Sequence, residues 1–153
     1  MNPLCNCLSL RQATRRVTQL YDQALAPLDL RVTQYSLLTQ IDTLGPVAFN
    51  PLAETLVMDR ATLGHNVRPL EARGLVRIEV GADRRSREIS LTQEGRDLLI
   101  EARTLWRQAQ QSFETELGRD TASSLRGLLH RVAATEFVLP GQPVHRHVRA
   151  RAR

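Results

Sequence analysis

The stretch Gly74-Leu75-Val76-Arg77-Ile78-Glu79-Val80-Gly81-Ala82-Asp83-Arg84-Arg85-Ser86-Arg87-Glu88-Ile89-Ser90-Leu91-Thr92-Gln93-Glu94-Gly95 decides the fold. It reads as a β-hairpin, with strands at about 75–80 and 87–91, and its tip opens at Gly81 and carries several arginines. Guanidinium groups held on a rigid protrusion suit contact with phosphates and need no catalytic group.

Immediately before the hairpin, Leu63, Val67 and Leu70 recur at helical spacing, so residues 60–73 form a helix that Asp59 can cap and Gly74 ends. Upstream, Asn50 followed by Pro51 marks the start of a shorter helix at 51–57, because Asn caps orphan amides and Pro at the first helical position loses nothing. Short helix, tight turn, longer helix and hairpin make a winged helix-turn-helix.

Working outward, residues 8–28 read as a first helix disturbed near Pro27, and about 33–44 as a second that stops at Gly45-Pro46. Val47, Ala48 and Phe49 form a short extended piece. From the cap Thr92 to Leu117 runs a helix of about 39 Å at 1.5 Å per residue. Its stripe of Leu98, Ala102, Leu105, Trp106, Ala109, Phe113 and Leu117 joins that of a last helix at about 121–138, with Leu125, Leu128, Leu129, Val132 and Phe137. So small a winged domain cannot cover both stripes, and a second subunit is the simplest cover. The expected class is mainly α with a small β-hairpin wing. Residues 1–138 are expected to form a single domain, with dimerisation helices about 8–28 and 92–138 around a winged helix-turn-helix at about 33–91, and 139–153 a flexible basic tail.

The 153 residues suit one helix-rich domain, with 42% hydrophobic and 4% aromatic content. The basic residues are all arginine, and the formal charge is +5. Arg146, Arg149, Arg151 and Arg153 sit in the tail, so the body is nearly neutral. Placement of charge therefore carries more weight than its total. Within 59–88, Arg60, Arg68, Arg73, Arg77, Arg84, Arg85 and Arg87 face Asp59, Glu71, Glu79, Asp83 and Glu88. Two cysteines, Cys5 and Cys7, cannot staple a fold, and no apolar run approaches the roughly 18 residues of a membrane span. A cytoplasmic location without membrane contact is expected.

With Leu63, Val67 and Leu70 turned to the core, helix 60–73 presents Ala61, Gly64, His65, Arg68 and Ala72 outward, with Thr62 and Pro69 at the edge and Asn66 beside the core stripe. Small side chains let the backbone approach a groove floor, where Arg68 meets guanine acceptors, His65 and Thr62 hydrogen-bond, and Ala61 meets a thymine methyl. The candidate DNA contacts are Arg60, Ala61, Thr62, Gly64, His65, Asn66, Arg68, Arg84, Arg85 and Arg87, with Asp83 orienting one wing guanidinium.

These residues resemble the MarR family of bacterial regulators, winged-helix homodimers that mostly repress transcription. The family's wing pattern, Asp-x-Arg and then a strand ending Leu-Thr-x-x-Gly, stands here as Asp83, Arg84, Arg85 and Leu91, Thr92, Gln93, Glu94, Gly95. Its preceding Leu-Glu-x-x-Gly-Leu-Val is Leu70, Glu71, Ala72, Arg73, Gly74, Leu75, Val76. The resemblance covers roughly residues 8–138. It implies that Arg85 is the minor-groove wing arginine and Asp83 its partner, that helix 60–73 reads the major groove of a pseudopalindromic double-stranded operator, and that the first and last helices pair the subunits.

The resemblance also implies a signal input, either a small aromatic ligand or an oxidant at a cysteine. Cys7 lies at the start of the first helix, where the dipole favours a thiolate, with Arg11 one turn on. The spacing from Cys7 to Tyr21 and Gln34 looks like that of the family's organic hydroperoxide regulators, although one of their sensing tyrosines falls on Arg11 here. Cys5, Cys7, Arg11 and Tyr21 are the candidate sensor residues. In a regular helix Cys5 and Cys7 point about 200° apart, so a disulfide between them needs an extended first turn. Alternatively, both are small apolar groups in the subunit contact. Cys5, Cys7 and His130 lack the spacing of a zinc site, so no metal is expected. No base stands near Cys7, so neither enzyme activity nor a cofactor is expected. The alternative to a specific repressor released by ligand or by oxidation at Cys7 is a winged helix for non-specific DNA coating or protein contact.

Overall fold

The structure is a computed structural model that describes residues 4–81, 86–138 and 141. Helix α1 (Asn6–Leu25) leads through a 3-10 turn (Ala26–Leu28) to α2 (Val32–Leu44), β1 (Val47–Ala48), α3 (Phe49–Thr55) and α4 (Arg60–Ala72). Strands β2 (Val76–Val80) and β3 (Arg87–Leu91) precede α5 (Gln93–Leu117) and α6 (Arg119–Ala134). The mainly α fold with a small β wing is as expected. Asp83, Arg84 and Arg85, and the tail from 139 apart from Gly141, lie outside the described residues.

The short extended piece at 47–48 becomes the third strand of an antiparallel sheet ordered β1-β3-β2. Val47 lies opposite Ile89, and Ile89 opposite Ile78 on the other side. This register turns Ile89 inward onto the helices. There it joins Leu37, Leu38 and Ile41 of α2, Leu52 of α3, Leu63, Val67 and Leu70 of α4 and Leu99 of α5, each at most 1% exposed. Burying one such side chain contributes about 1.5–3 kcal/mol. Among the described residues no polar or charged side chain is buried in this core.

Three helical segments end in the same way. The backbone turns left-handed at one residue, and the next amide reaches back to the carbonyl five positions earlier, as Leu30 does to Leu25, Met58 to Ala53 and Leu75 to Leu70. The left-handed residues are Asp29 (φ 51°), Val57 (φ 53°) and Gly74 (φ 70°). Only glycine adopts that conformation without cost, and a β-branched valine there is strained by about 1–3 kcal/mol. Val57 sits in the turn between α3 and α4 and is 74% exposed.

The element ends differ from the expected ones in three places. Helix α1 starts at Asn6 with Cys5 as its cap, and it is the 3-10 turn around Pro27 that separates it from α2. Helix α3 starts at Phe49, so Asn50 and Pro51 are inside its first turn and Asn50 does not cap it. Half-buried Phe49 packs against the core and draws the helix start back by two residues, while Pro51 still falls among first-turn positions whose amides have no helical acceptor. Helix α6 runs 119–134 rather than 121–138. The Thr135 hydroxyl donates to the Arg131 carbonyl at 2.7 Å while its backbone turns extended, which leaves Phe137 off the helix and 78% exposed.

Helix α5 is joined to the hairpin base by the Leu-Thr-x-x-Gly run. The Thr92 hydroxyl accepts from the Gly95 amide at 3.0 Å and donates to the Gly74 carbonyl at 2.6 Å. The Thr92 amide donates to the Leu75 carbonyl at 3.1 Å, and a Cβ on Gly95 would lie 2.0 Å from that same oxygen. Only glycine therefore lets the first turn of α5 close on the strand. Among the described residues no helix is long and apolar enough to cross a membrane. Gly95→Ala is expected to lower stability by about 1–3 kcal/mol through forced separation of α5 from Leu75, measured as the shift of the urea unfolding midpoint.

Candidate nucleic-acid interface

Helix α4 is set by both of its ends. Asp59 accepts the Thr62 amide on one carboxylate oxygen at 2.8 Å and the Thr62 hydroxyl on the other at 2.7 Å. Those two bonds, the hydroxyl's first, hold the Asp59 carboxyl below the usual carboxylate range. The cap satisfies an orphan amide and places a negative charge against the positive end of the helix dipole. At the other end, the Arg73 guanidinium donates to the carbonyls of Asp29 (2.6 Å) and Leu28 (3.2 Å) at the corner between α1 and α2.

With Leu63, Val67 and Leu70 buried, the opposite face carries Ala61, His65, Arg68 and Ala72 exposed and Gly64 half-buried; exposed Thr62 lies at its edge, half-buried Asn66 beside the buried stripe, and Arg60 is exposed in the first turn. The sequence puts Ala61, Gly64, His65, Arg68 and Ala72 on the side away from the core, and none of them is buried. Thr62 has a double task, since its hydroxyl proton is held by Asp59 and only its lone pairs face outward. A Cβ on Gly64 would meet no atom within 4 Å. Pro69 withdraws the amide that would bond the His65 carbonyl, on a side of the helix open to water. None of the ion pairs among the described residues uses Arg60, Arg68 or Arg87. These guanidiniums are free to meet anions from outside the chain.

The described part of the wing is rigid at its base. Gly81 donates to the Ser86 carbonyl at 2.9 Å to close the hairpin, and Arg77 bonds Ser90 (3.0 Å) across the strands and Glu79 (3.2 Å) along its own. Behind it, Arg96 donates to the Leu91 carbonyl at 3.1 Å. Arg87 leaves β3 exposed next to the tip. The roles expected of Asp83, Arg84 and Arg85 fall on residues outside the described ones.

The sensor candidates are spread along α1. Cys5 is half-buried and extended (ψ 99°), its sulfur accepting the Leu8 amide at 3.4 Å, while Cys7 is exposed; both are free thiols. Cys5 therefore caps α1, and Cys7, the cysteine favoured from sequence as the sensor, lies in its first turn. Tyr21 lies fourteen residues along the same helix from Cys7, about 21 Å, so one chain does not bring the two together. Its hydroxyl donates to Gln110 at 2.5 Å, and burial first, then the Glu114 charge, raises its pKa above the ordinary tyrosine value. Gln110 in turn donates to Glu114 (2.7 Å), which pairs with Arg126 of α6 (3.4 Å).

Two hollows accompany these residues. One of about 460 Å³ lies between α2 and α5, lined by Tyr35, Ser36, Thr39, Gln40, Arg103, Trp106 and Arg107. Here Tyr35 stacks on Trp106 with ring centres 6.0 Å apart, Arg103 pairs with Asp42 at 2.7 Å, and the buried Thr39 hydroxyl has no partner. The sequence reading missed Thr39, Arg103 and Arg107, because partners from two helices leave no spacing signal. The other is an apolar groove of about 890 Å³ between α1 and the α5–α6 pair, lined among others by Leu10, Ala13, Val17, Phe113, Leu125 and Leu129. Leu10, Leu129 and Val132 along it are 39–42% exposed. Among the described residues no group of three or more His, Cys, Asp or Glu side chains is placed to hold a metal ion.

No family model matches the chain, and no curated protein does. Solved structures do. The transcriptional regulator MosR of M. tuberculosis, in complex with DNA, is 34% identical over 84% of this chain and 93% of its own, with a TM-score of 0.77. A probable transcriptional regulator from Pseudomonas aeruginosa is 31% identical over 80% and 92%, with a TM-score of 0.73. Wild-type MarR of E. coli shares the fold at 21% identity, covering 84% and 97%, with a TM-score of 0.69. By its fold, its wing motif and these relatives, the chain belongs to the MarR family of winged-helix transcriptional regulators.

Proposed function

We propose that two copies of the chain form a sequence-specific repressor that lays the paired α4 helices in successive major grooves of a pseudopalindromic operator, with half-sites about 10 base pairs apart. It acts in the cytoplasm and needs no cofactor and no catalytic group. The observation that carries this reading is the outward face of α4, small at Ala61 and Gly64, with polar His65 and an unpaired Arg68, backed by a fully apolar inner face. MosR, solved on DNA with the same fold, supports it.

In this reading Arg68 reads base edges, Arg60 and Arg87 hold phosphates, and Arg84 and Arg85 follow a minor groove with Asp83 orienting one of them. Arg68→Ala is expected to cost about 1–3 kcal/mol and to relax base preference, whereas Arg85→Ala and Arg87→Ala weaken binding to all sequences and each lower the salt slope by about 1. Anisotropy titrations on the chain's own upstream DNA, with unrelated DNA as competitor, measure both effects. Unchanged affinity in all three variants removes the interface, and less than roughly tenfold preference over the competitor leaves only non-specific coating.

The second subunit covers the apolar groove beside α1 and the exposed face of α6. Leu129→Asp then places a charge in that contact and is expected to halve the mass measured by light scattering. A variant that stays dimeric refutes this contact.

Release from DNA follows either a small aromatic ligand, for which the hollow beside Trp106 offers a stacked ring pair and two arginines, or oxidation at Cys7. Oxidant is expected to release wild type and not Cys7→Ser, with Cys5→Ser as a control that keeps an oxygen cap on α1. Equal release in wild type and Cys7→Ser removes Cys7 as the sensor, and no release of wild type by oxidant leaves the hollow as the site of the signal.

A further inference from the structure

Two helical C-termini meet where α4 ends. The 3-10 turn after α1 presents the Leu28 and Asp29 carbonyls to the end of α4, and both segments carry the negative end of a helix dipole. Arg73 closes α4, its own amide bonded to the Pro69 carbonyl at 3.1 Å, and sends its guanidinium into that space to reach Asp29 and Leu28, more than forty residues away in the chain. The far side of the corner is fixed independently. Asp22, in the last turns of α1, accepts the Val32 amide at the start of α2 (2.7 Å) and the Arg31 guanidinium (3.2 Å). The end of α1, the start of α2 and the end of α4 are thus tied by one arginine and one aspartate.

We propose that Arg73 is a positioning residue for DNA recognition: by bridging the carbonyls of Leu28 and Asp29 to the end of α4, it fixes the angle of the reading helix against the subunit-pairing helix α1. This rests on the DNA-binding reading above. The pairing of α1 with a second copy sets where each subunit stands, so the angle of α4 relative to α1 sets the separation and tilt of the two reading helices. The site is exposed, and water can take over the carbonyls when the arginine is removed. Loss of the tie therefore loosens α4 without unfolding the core. A guanidinium is suited to the task because its fork spans two carbonyls at once.

The test compares wild type with Arg73→Ala and Arg73→Gln. Glutamine keeps amide donors for the carbonyls and loses the charge. Hydrogen–deuterium exchange, without DNA, is expected to quicken several-fold in residues 26–31 of Arg73→Ala and to stay unchanged in residues 35–41 of α2. On DNA, Arg73→Ala is expected to lose roughly tenfold in affinity at the preferred half-site spacing and less at spacings one base pair longer or shorter, with the salt slope unchanged and Arg73→Gln falling between the two. Unchanged exchange in 26–31 overturns the proposal. So does a salt slope lowered by about 1 with Gln as weak as Ala, the mark of a phosphate contact. Quickened exchange in a protein whose wild type ignores duplex DNA upholds the tie and refutes the DNA-binding reading instead.

Discussion

A single backbone oxygen, the Leu75 carbonyl, is the point on which the winged unit turns. It accepts the Thr92 amide, and the bare Cα of Gly95 passes over it where any side chain would collide. One residue back, the Gly74 carbonyl takes the Thr92 hydroxyl. The end of α4, the base of β2 and the start of α5 therefore converge on a few atoms. The long helix and α4 are thus bonded to the same short piece of strand.

Away from that junction the molecule divides its work by polarity. The core under the sheet is wholly apolar among the described residues, and it holds α2, α3 and α4 as one body. The polar chain from Tyr21 through Gln110 and Glu114 to Arg126 lies instead along the open groove, linking α1, α5 and α6 where the apolar packing is incomplete. Bonds of this kind are directional, so they fix how the three helices lie while leaving the neighbouring leucines uncovered.

Local signals are legible in the sequence and distant ones are not. The stripe Leu63, Val67, Leu70, the caps Asp59 and Thr92, the stop at Gly74 and both strands of the hairpin follow from spacing and from the chemistry of single residues. Asn50 carries a local cap signal, whereas the start of α3 is set by the docking of Phe49 on the core. Cys5 gives no cap signal in the sequence, because sulfur is a weak acceptor and seldom serves in that role. The bonds from Arg73 to Asp29 and from Arg103 to Asp42 join residues far apart in the chain, and no periodicity encodes such partners. Of the expected interface, the face of α4 and Arg87 are where the sequence puts them, and the wing-tip residues Asp83, Arg84 and Arg85 fall outside the described ones.

The open space around Gly64 separates folding from recognition at one residue. Among the described residues nothing requires a glycine there, and in mid-helix it costs about 1 kcal/mol relative to alanine. A methyl group at this position would make the monomer sturdier while thickening the only surface of α4 that looks outward. If α4 is the reading helix, as proposed, thermal hardiness and close approach to an external partner are opposed at this atom.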